Sequence, residues 1–296
     1  LRKKQLDDWL VAGVSYAAVG LFALVCVVPI LYVISYSVMN YSDYLANPFR
    51  LLPKRLDFGA YRQLLHFDLF YSGYKVTLLI TLAGTTLTLL LLLLSAYPLT
   101  KTRLKGRNAV LSFIVFTMFF NGGLIPNYLL VKWVGIYDTV WALILPGVIS
   151  VFNLLLMMTF IKTTVPEALE EAAIVDGANE LHVLFRVILP LSLPALATFA
   201  IFSAVGYWNS YFAATLYISD RSLWPLQVVL RELVVENNMG MLGSSAQLQQ
   251  MMAQTRSQPF TLKMATIVVT TLPILVVYPF LQRFFVKGML LGSVKG

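Results

Sequence analysis

Six long apolar runs separated by shorter polar stretches set the pattern of this chain. They cover roughly 10–38, 71–99, 108–132, 137–161, 188–217 and 261–282. A helix needs about 20 mostly apolar residues to cross the hydrocarbon core of a bilayer, and each run meets that length. The first is too long for a signal-peptide core, and no small-residue cleavage site follows it, so it is predicted as the first membrane helix. Residues 40–70 are mixed in character, with turn signals at Asn47-Pro48 and Leu52-Pro53. They predict an external loop with a short interfacial helix, where Tyr41, Tyr44, Phe49, Phe58 and Tyr61 suit an aromatic belt. Residues 218–259, rich in Gln and Met towards their end, predict a second external segment. The expectation is an all-α polytopic membrane protein of six transmembrane helices, one transmembrane domain over 1–296.

Charge sets the orientation. Lys101, Arg103, Lys105 and Arg107 follow the second run with no acid among them. Short loops rich in Lys and Arg stay in the cytoplasm, so this loop faces inward and alternation puts both termini inside. Composition agrees: 58% of residues are hydrophobic and only 12% charged, against about 25% charged in ordinary globular domains. The net charge of +8 does not indicate a nucleic-acid partner, because no basic face with interleaved aromatics is present. Cys26, inside an apolar run, is the single cysteine and forms no intrachain disulfide.

The charged interruption between the fourth and fifth apolar runs is carried by 163–190, TTVPEALEEAAIVDGANELHVLFRVILP. Thr164 and Glu167 fit a capping box, with Pro166 in the first turn. Glu167, Glu170 and Glu171 place negative charge near the positive end of a helix dipole. Gly177 should stop this helix. A second helix then follows, with Leu181, Leu184, Phe185 and Ile188 on one stripe. Local pattern alone is equally that of a soluble helical hairpin.

Glu171-Ala172-Ala173, three residues, Gly177, nine residues, then Val187-Ile188-Leu189-Pro190 resembles the EAA loop of ABC importer permeases. The departure is Val187 where the family pattern has Ile. Asp176-Gly177-Ala178 resembles the form common among sugar importers. The whole chain, down to its Lys287–Gly296 tail, is similar to maltose-type permeases, most of all the alginate and oligosaccharide importer group. The resemblance implies a type I importer permease in the bacterial inner membrane, and a coupling helix that docks on a cytoplasmic ATPase. The coupling residues it implies are Glu170, Glu171, Ala172, Ala173, Asp176 and Gly177. The implied partners are a homologous second permease, two ATPase subunits that bind ATP and Mg, and an extracytoplasmic solute-binding protein.

The chain carries no phosphate-binding loop, zinc-protease motif or dinucleotide fingerprint. It is therefore expected to be no enzyme and to hold no cofactor or metal of its own. His66 and His182 fall on opposite sides of the membrane in this topology. Ionisable residues are nearly missing from the runs, which argues against proton or cation coupling. The runs offer amides and aromatics instead: Asn121, Asn153, Tyr207, Trp208, Asn209 and Tyr211. Amides hydrogen-bond sugar hydroxyls and aromatic faces cover sugar rings, so these six are the candidate substrate pathway. Equally, intramembrane amides bond between helices. A non-sugar solute, or a secondary transporter without an ATPase, stays open at this stage.

Overall fold

A computed structural model describes residues 2–48, 50–235 and 259–293. The second half of the Gln- and Met-rich segment and the end of the C-terminal tail lie outside the described residues. Four helices are long and apolar enough to cross a membrane: Val11–Ser37, Asp68–Thr100, Glu180–Trp208 and Phe260–Val277. Two bent helix pairs bring the number to six when each pair counts as one span. Among the described residues, the β pairing is one isolated bridge, Met39 with Leu56.

The chain divides into two units, Leu1–Asp68 with Leu230–Leu272, and Leu69–Val229 with Pro273–Gly296. The first contains α1 (Arg2–Ser37), whose apolar stretch is exposed over nearly all of residues 11–31. A helix that is apolar all round and uncovered by its own chain requires lipid or a partner. At its C-terminal end Tyr36 stacks on Tyr32 at 4.0 Å and meets the edges of Tyr44 and Phe260. The Tyr36 hydroxyl donates to the Pro48 carbonyl, and Ser35 to that of Leu51. These bonds tie down the 40–58 loop, which includes α2 (Tyr41–Ala46) and leads to α3 (Gly59–Leu65).

The second unit is built on α4 (Asp68–Thr100). One stripe of α4 is small: Gly73, Thr77, Gly84 and Thr88 all face inward. Small residues let neighbouring backbones approach closely, which drives helix association in a bilayer where apolar burial does not. Thr77 Oγ1 accepts the Leu226 N–H at 2.8 Å, and the Gly73 site is closed by Trp224, Leu226 and Val229. Lys75 lies within the second apolar run, with its ammonium 4.3 Å from the Tyr71 ring centre.

The third run is not one helix. α5 (Arg107–Phe119) and α6 (Leu124–Trp133) meet at 119°. Asn121 Oδ1 accepts from the Gly123 N–H at 2.9 Å, and Gly123 has φ +90°, which glycine adopts without penalty. With 13 residues, α5 is about 20 Å long, short of the roughly 30 Å hydrocarbon core.

The fourth run is also broken. α7 (Trp141–Ile144) and a tight turn at Leu145–Gly147 meet α8 (Val151–Thr164) at 56°. Pro146 removes a backbone donor there, and Ser150 restarts the helix by accepting from the Asn153 N–H.

The fifth run begins earlier and ends earlier than its hydropathy indicates. A continuous helical path covers Glu180–Trp208, comprising α10 (Glu180–Val183), a wide turn at Leu184–Ile188 and α11 (Leu189–Trp208). The Leu189 N–H reaches the Leu184 carbonyl, five residues back. Pro190, which supplies no N–H and crowds the carbonyl four residues before it, accounts for the widening. The expected stripe shifts as a result. Leu184 and Ile188 are buried, Leu181 and Phe185 are exposed, and Val183 joins the core. α12 (Phe212–Tyr217) follows as a separate turn, then α13 (Leu226–Val235) and α14 (Pro259–Ser293). Leu92, Tyr97, Met157, Ile161, Val183, Ile188 and Phe199 form the core of this unit, where α4, α8, α10 and α11 meet.

Candidate functional site: coupling loop and polar pocket

α9 (Glu167–Val175) stands between α8 and α10. Pro166 keeps Val165 extended, with ψ 113°. As a result α8 runs to Thr164, whose helical backbone cannot cap α9. The expected capping box does not form, and Pro166 occupies the cap position with no side-chain bond. Glu167 and Glu170 do fall in the first turn. The stop at Gly177 is as expected: φ is +85°, the Gly177 N–H bonds the Ile174 carbonyl, and the Ala178 N–H bonds that of Ala173 at 2.9 Å. This pair of bonds is a Schellman motif, which satisfies carbonyls that the helix leaves open.

The residues of the EAA stretch face different ways. Glu171, Ala172, Asp176 and Gly177 are exposed, together with Ala168 and the apolar Leu169, Ile174 and Val175, the last at 86%. Ala173 packs partly on the core. Glu170 is buried, at 9% exposure, and pairs with Lys101. The Lys101 ammonium also lies 4.5 Å from the Tyr97 ring centre. Burial pushes its pKa below the ordinary lysine value, against the upward pull of the Glu180 carboxylate. Tyr97 donates to Glu180 Oε2 at 3.0 Å, and Arg103 pairs with the other oxygen of that carboxylate. A cleft of about 390 Å³ separates the 100–103 loop from α9, lined in part by Lys101, Arg103, Lys162, Glu167 and Glu171.

A second constellation surrounds the break before α8. A pocket of about 290 Å³ is lined by Thr88, Ser150, Asn153, Ser203, Tyr207 and Ser210, with Gly147 and Val148 at the break itself. The Tyr207 hydroxyl lies 3.2 Å from Thr88 Oγ1 and 3.3 Å from the Ile144 carbonyl. Gly84 leaves room for that ring: a methyl group there would come within 2.6 Å of it. Neutral hydroxyls and one amide around an aromatic face make a surface suited to a polyhydroxylated solute.

The structure brings together two of the six pathway candidates, Asn153 and Tyr207. Trp208 faces the other way, 5.8 Å from Tyr74 and lining an apolar cavity of about 260 Å³ with Leu78, Ile201 and Pro273. Asn209 accepts from Gln227 at 3.2 Å. Tyr211 packs on the Ile80–Ile144 cluster, and Asn121 shapes the α5–α6 turn. Thr88, Ser150 and Ser203 carried no sequence signal of their own, whereas Ser210 stands within the Tyr207–Tyr211 polar and aromatic cluster. The Gly84-to-Thr88 spacing on α4 was a signal that could have pointed to close packing there.

A membrane permease of an ABC-type, binding-protein-dependent transport system is what this fold and this loop define. The chain belongs to the family described as "binding-protein-dependent transport system inner membrane component", which matches residues 2–291. It is 42% identical over 294 residues to the polygalacturonan/rhamnogalacturonan transport system permease protein YtcP of Bacillus subtilis (strain 168), covering 99% of this chain and all of that one. Protein LplC of the same organism is 43% identical over 272 residues, covering 92% of this chain and 90% of its own length. A chain in the crystal structure of a bacterial ABC transporter that imports the acidic polysaccharide alginate is similar throughout. Its TM-score is 0.86 at 32% identity, covering 94% of this chain and 98% of that chain.

Proposed function

We propose that this chain is one of two homologous permeases of an importer that moves oligo- or polysaccharide from an extracytoplasmic binding protein into the cytoplasm. The observation that carries this is a pair of features in one unit: the exposed α9 face at one end and the polar pocket around Asn153 and Tyr207 within the helices. Glu171, Ala172, Asp176 and Gly177, with Leu169 and Val175, form the surface that docks on the ATPase. Small side chains at 168 and 172 permit close approach, while Leu169 and Val175 supply apolar contact. Two ATPase subunits bind ATP and Mg and close on the nucleotide. α9 moves with its ATPase, and the helices swing to open the pathway outward. The binding protein then releases its sugar, and hydrolysis resets the assembly.

The uncharged lining of the pocket fits sugar hydroxyls and rings, and acidic-polysaccharide relatives support a polymeric sugar as cargo. The chain lies in the bacterial inner membrane with both termini in the cytoplasm. Lys101 to Arg107 support that side, and the basic loop and α9 meet there, as one cytoplasmic end requires. The α5–α6 bend leaves backbone exposed partway through a span, where only protein or a water-filled pathway is tolerated, and the second permease meets that need.

The test is purification from a mild detergent with the native neighbours, then uptake of labelled oligosaccharide into proteoliposomes. An ATPase and a second permease should co-purify, with ATPase loss in Ala172→Glu, and uptake should require ATP. Uptake by the chain alone without ATP overturns the proposal in favour of secondary transport. ATP-dependent uptake confined to a non-sugar solute overturns the sugar assignment.

A further inference from the structure

α9 is gripped at both ends by a single short loop. Lys101 pairs with Glu170 in its first turn, and Arg103 pairs with Glu180 just beyond its Schellman turn. Tyr97 joins the two grips, with the Lys101 ammonium against its ring and its hydroxyl on the Glu180 carboxylate. The pairs differ in their surroundings. Arg103 and Glu180 are open to water, at 61% and 57% side-chain exposure, whereas Lys101 and Glu170 are at 20% and 11%. Exposed pairs contribute little and are screened by salt. Breaking a buried pair leaves a charge without its partner in a poor solvent, so the inner grip resists separation far more.

The loop that grips α9 is the continuation of α4. Thirteen positions back from Lys101 on that helix is Thr88, which lines the polar pocket and meets the Tyr207 hydroxyl. At 1.5 Å per residue the two ends of this lever are roughly 20 Å apart. α9 therefore has a route into the pocket through α4, besides its covalent joints to α8 and α10.

We propose that Lys101 and Glu170 are positioning residues for energy coupling: a clasp that stays closed through the cycle and makes α4 follow α9. On this view Glu170 is not an ATPase contact, and the docking surface begins at Glu171. The proposal rests on α9 being the coupling helix. It extends that reading by assigning Glu170 inward and by giving a role to a lysine outside the EAA stretch.

The experiment uses the whole transporter in proteoliposomes, with its ATPase and binding protein, and reads sugar imported per ATP hydrolysed. Lys101→Glu and Glu170→Lys should each lower that ratio about tenfold while the ATPase still co-purifies. The exchanged double variant Lys101→Glu/Glu170→Lys should recover most of it. A double variant no better than either single, or singles with an unchanged ratio, overturns the clasp. If the singles do not assemble, Lys101→Cys/Glu170→Cys in a Cys26→Ser background is bridged by a bifunctional methanethiosulfonate of matching length, whose two disulfide links a reductant reopens. The bridged transporter should keep importing, and arrest relieved by reductant overturns a clasp that stays closed. Ala172→Glu separates the two ideas: normal ATPase binding and uptake in that variant removes the coupling-helix reading itself. ATPase loss there beside neutral Lys101 and Glu170 variants removes the clasp alone.

Discussion

Gly84→Ala offers a direct test of the polar pocket. The added methyl group would meet three atoms of the Tyr207 ring at 2.6, 2.7 and 2.8 Å. Ordinary carbon–carbon contact requires the ring to withdraw by roughly 1 Å. Nothing else crowds that methyl more closely, and the ring is the far end of a side chain on the edge of a pocket. It can therefore swing instead of forcing the backbone apart. The stability cost should stay near the low end for overpacking, about 1 kcal/mol.

The functional cost should be larger. At 3.2 and 3.3 Å, the Tyr207 hydroxyl contacts with Thr88 and the Ile144 carbonyl are already long, and a 1 Å shift breaks both. Interhelical hydrogen bonds in membranes average about 0.6 kcal/mol and reach about 1.7, so two amount to roughly 1–2 kcal/mol. Expressed as a change in transport, that is about tenfold. The assay is initial uptake rate against sugar concentration in proteoliposomes, beside thermal unfolding in detergent. Tyr207→Phe should reproduce much of the transport defect with no loss of packing. Gly84→Ala/Tyr207→Leu should unfold at the same temperature as Tyr207→Leu, because the clash is gone. Gly84→Ala uptake within about twofold of the parent, with the same unfolding temperature, would refute the link from Gly84 through Tyr207 to transport.

Gly73→Ala should behave in the opposite way. Its methyl would sit 3.3 Å from the Trp224 carbonyl and 3.4 Å from Leu226 Cα, both backbone, so expression and unfolding temperature should fall by the equivalent of about 1–3 kcal/mol. Gly177 has open space around it but a φ of +85°, so Gly177→Val should cost about 1–2 kcal/mol through backbone strain alone. Gly177→Asn should be mild, whereas Gly177→Asp adds negative charge at a helix C-terminus beside Asp176 and should hydrolyse ATP without matching uptake. An Asn variant as impaired as Val would contradict that account. Asp220 accepts from the N–H and hydroxyl of Ser222 at 2.8 Å each, with the N–H the larger influence, which holds its carboxyl below the ordinary range. Its support for the 221–223 turn is present above the unfolded aspartate pKa and is lost as pH falls through the lowered folded value. The protection factor of the Ser222 amide, its exchange relative to the intrinsic rate at each pH, should fall across that acid window in the parent and not in Asp220→Asn.

Much of this protein is legible in the order of its residues. Apolar runs long enough to cross a bilayer need no partner to be recognised, because lipid selects for length and composition along one segment. The basic character of the 101–107 loop is legible for the same local reason. So is Gly177, since a left-handed turn is a property of one residue and its neighbours. The breaks were less visible. Asn121-Gly122-Gly123 and Pro146 stand in runs whose hydropathy continues straight through them, and hydropathy does not register a bend. Pro166 and Pro190 are visible in the sequence, but the effects of their steric demands, an α9 that starts after Pro166 and a shifted stripe around Ile188, are not.

Only the tertiary structure decided which way each side chain faces. Tyr207 and Trp208 are neighbours in sequence, yet one lines a polar pocket and the other an apolar cavity, since adjacent helical residues point about 100° apart. Thr88, Ser150 and Ser203 are unremarkable threonines and serines until three helices bring them to Asn153. Glu170 and Glu171 look alike in the EAA stretch. Lys101, 69 positions away from Glu170 in the sequence, turns one inward and leaves the other facing out. Pairing across that separation depends on how α4 and α8 pack, and no local pattern encodes it.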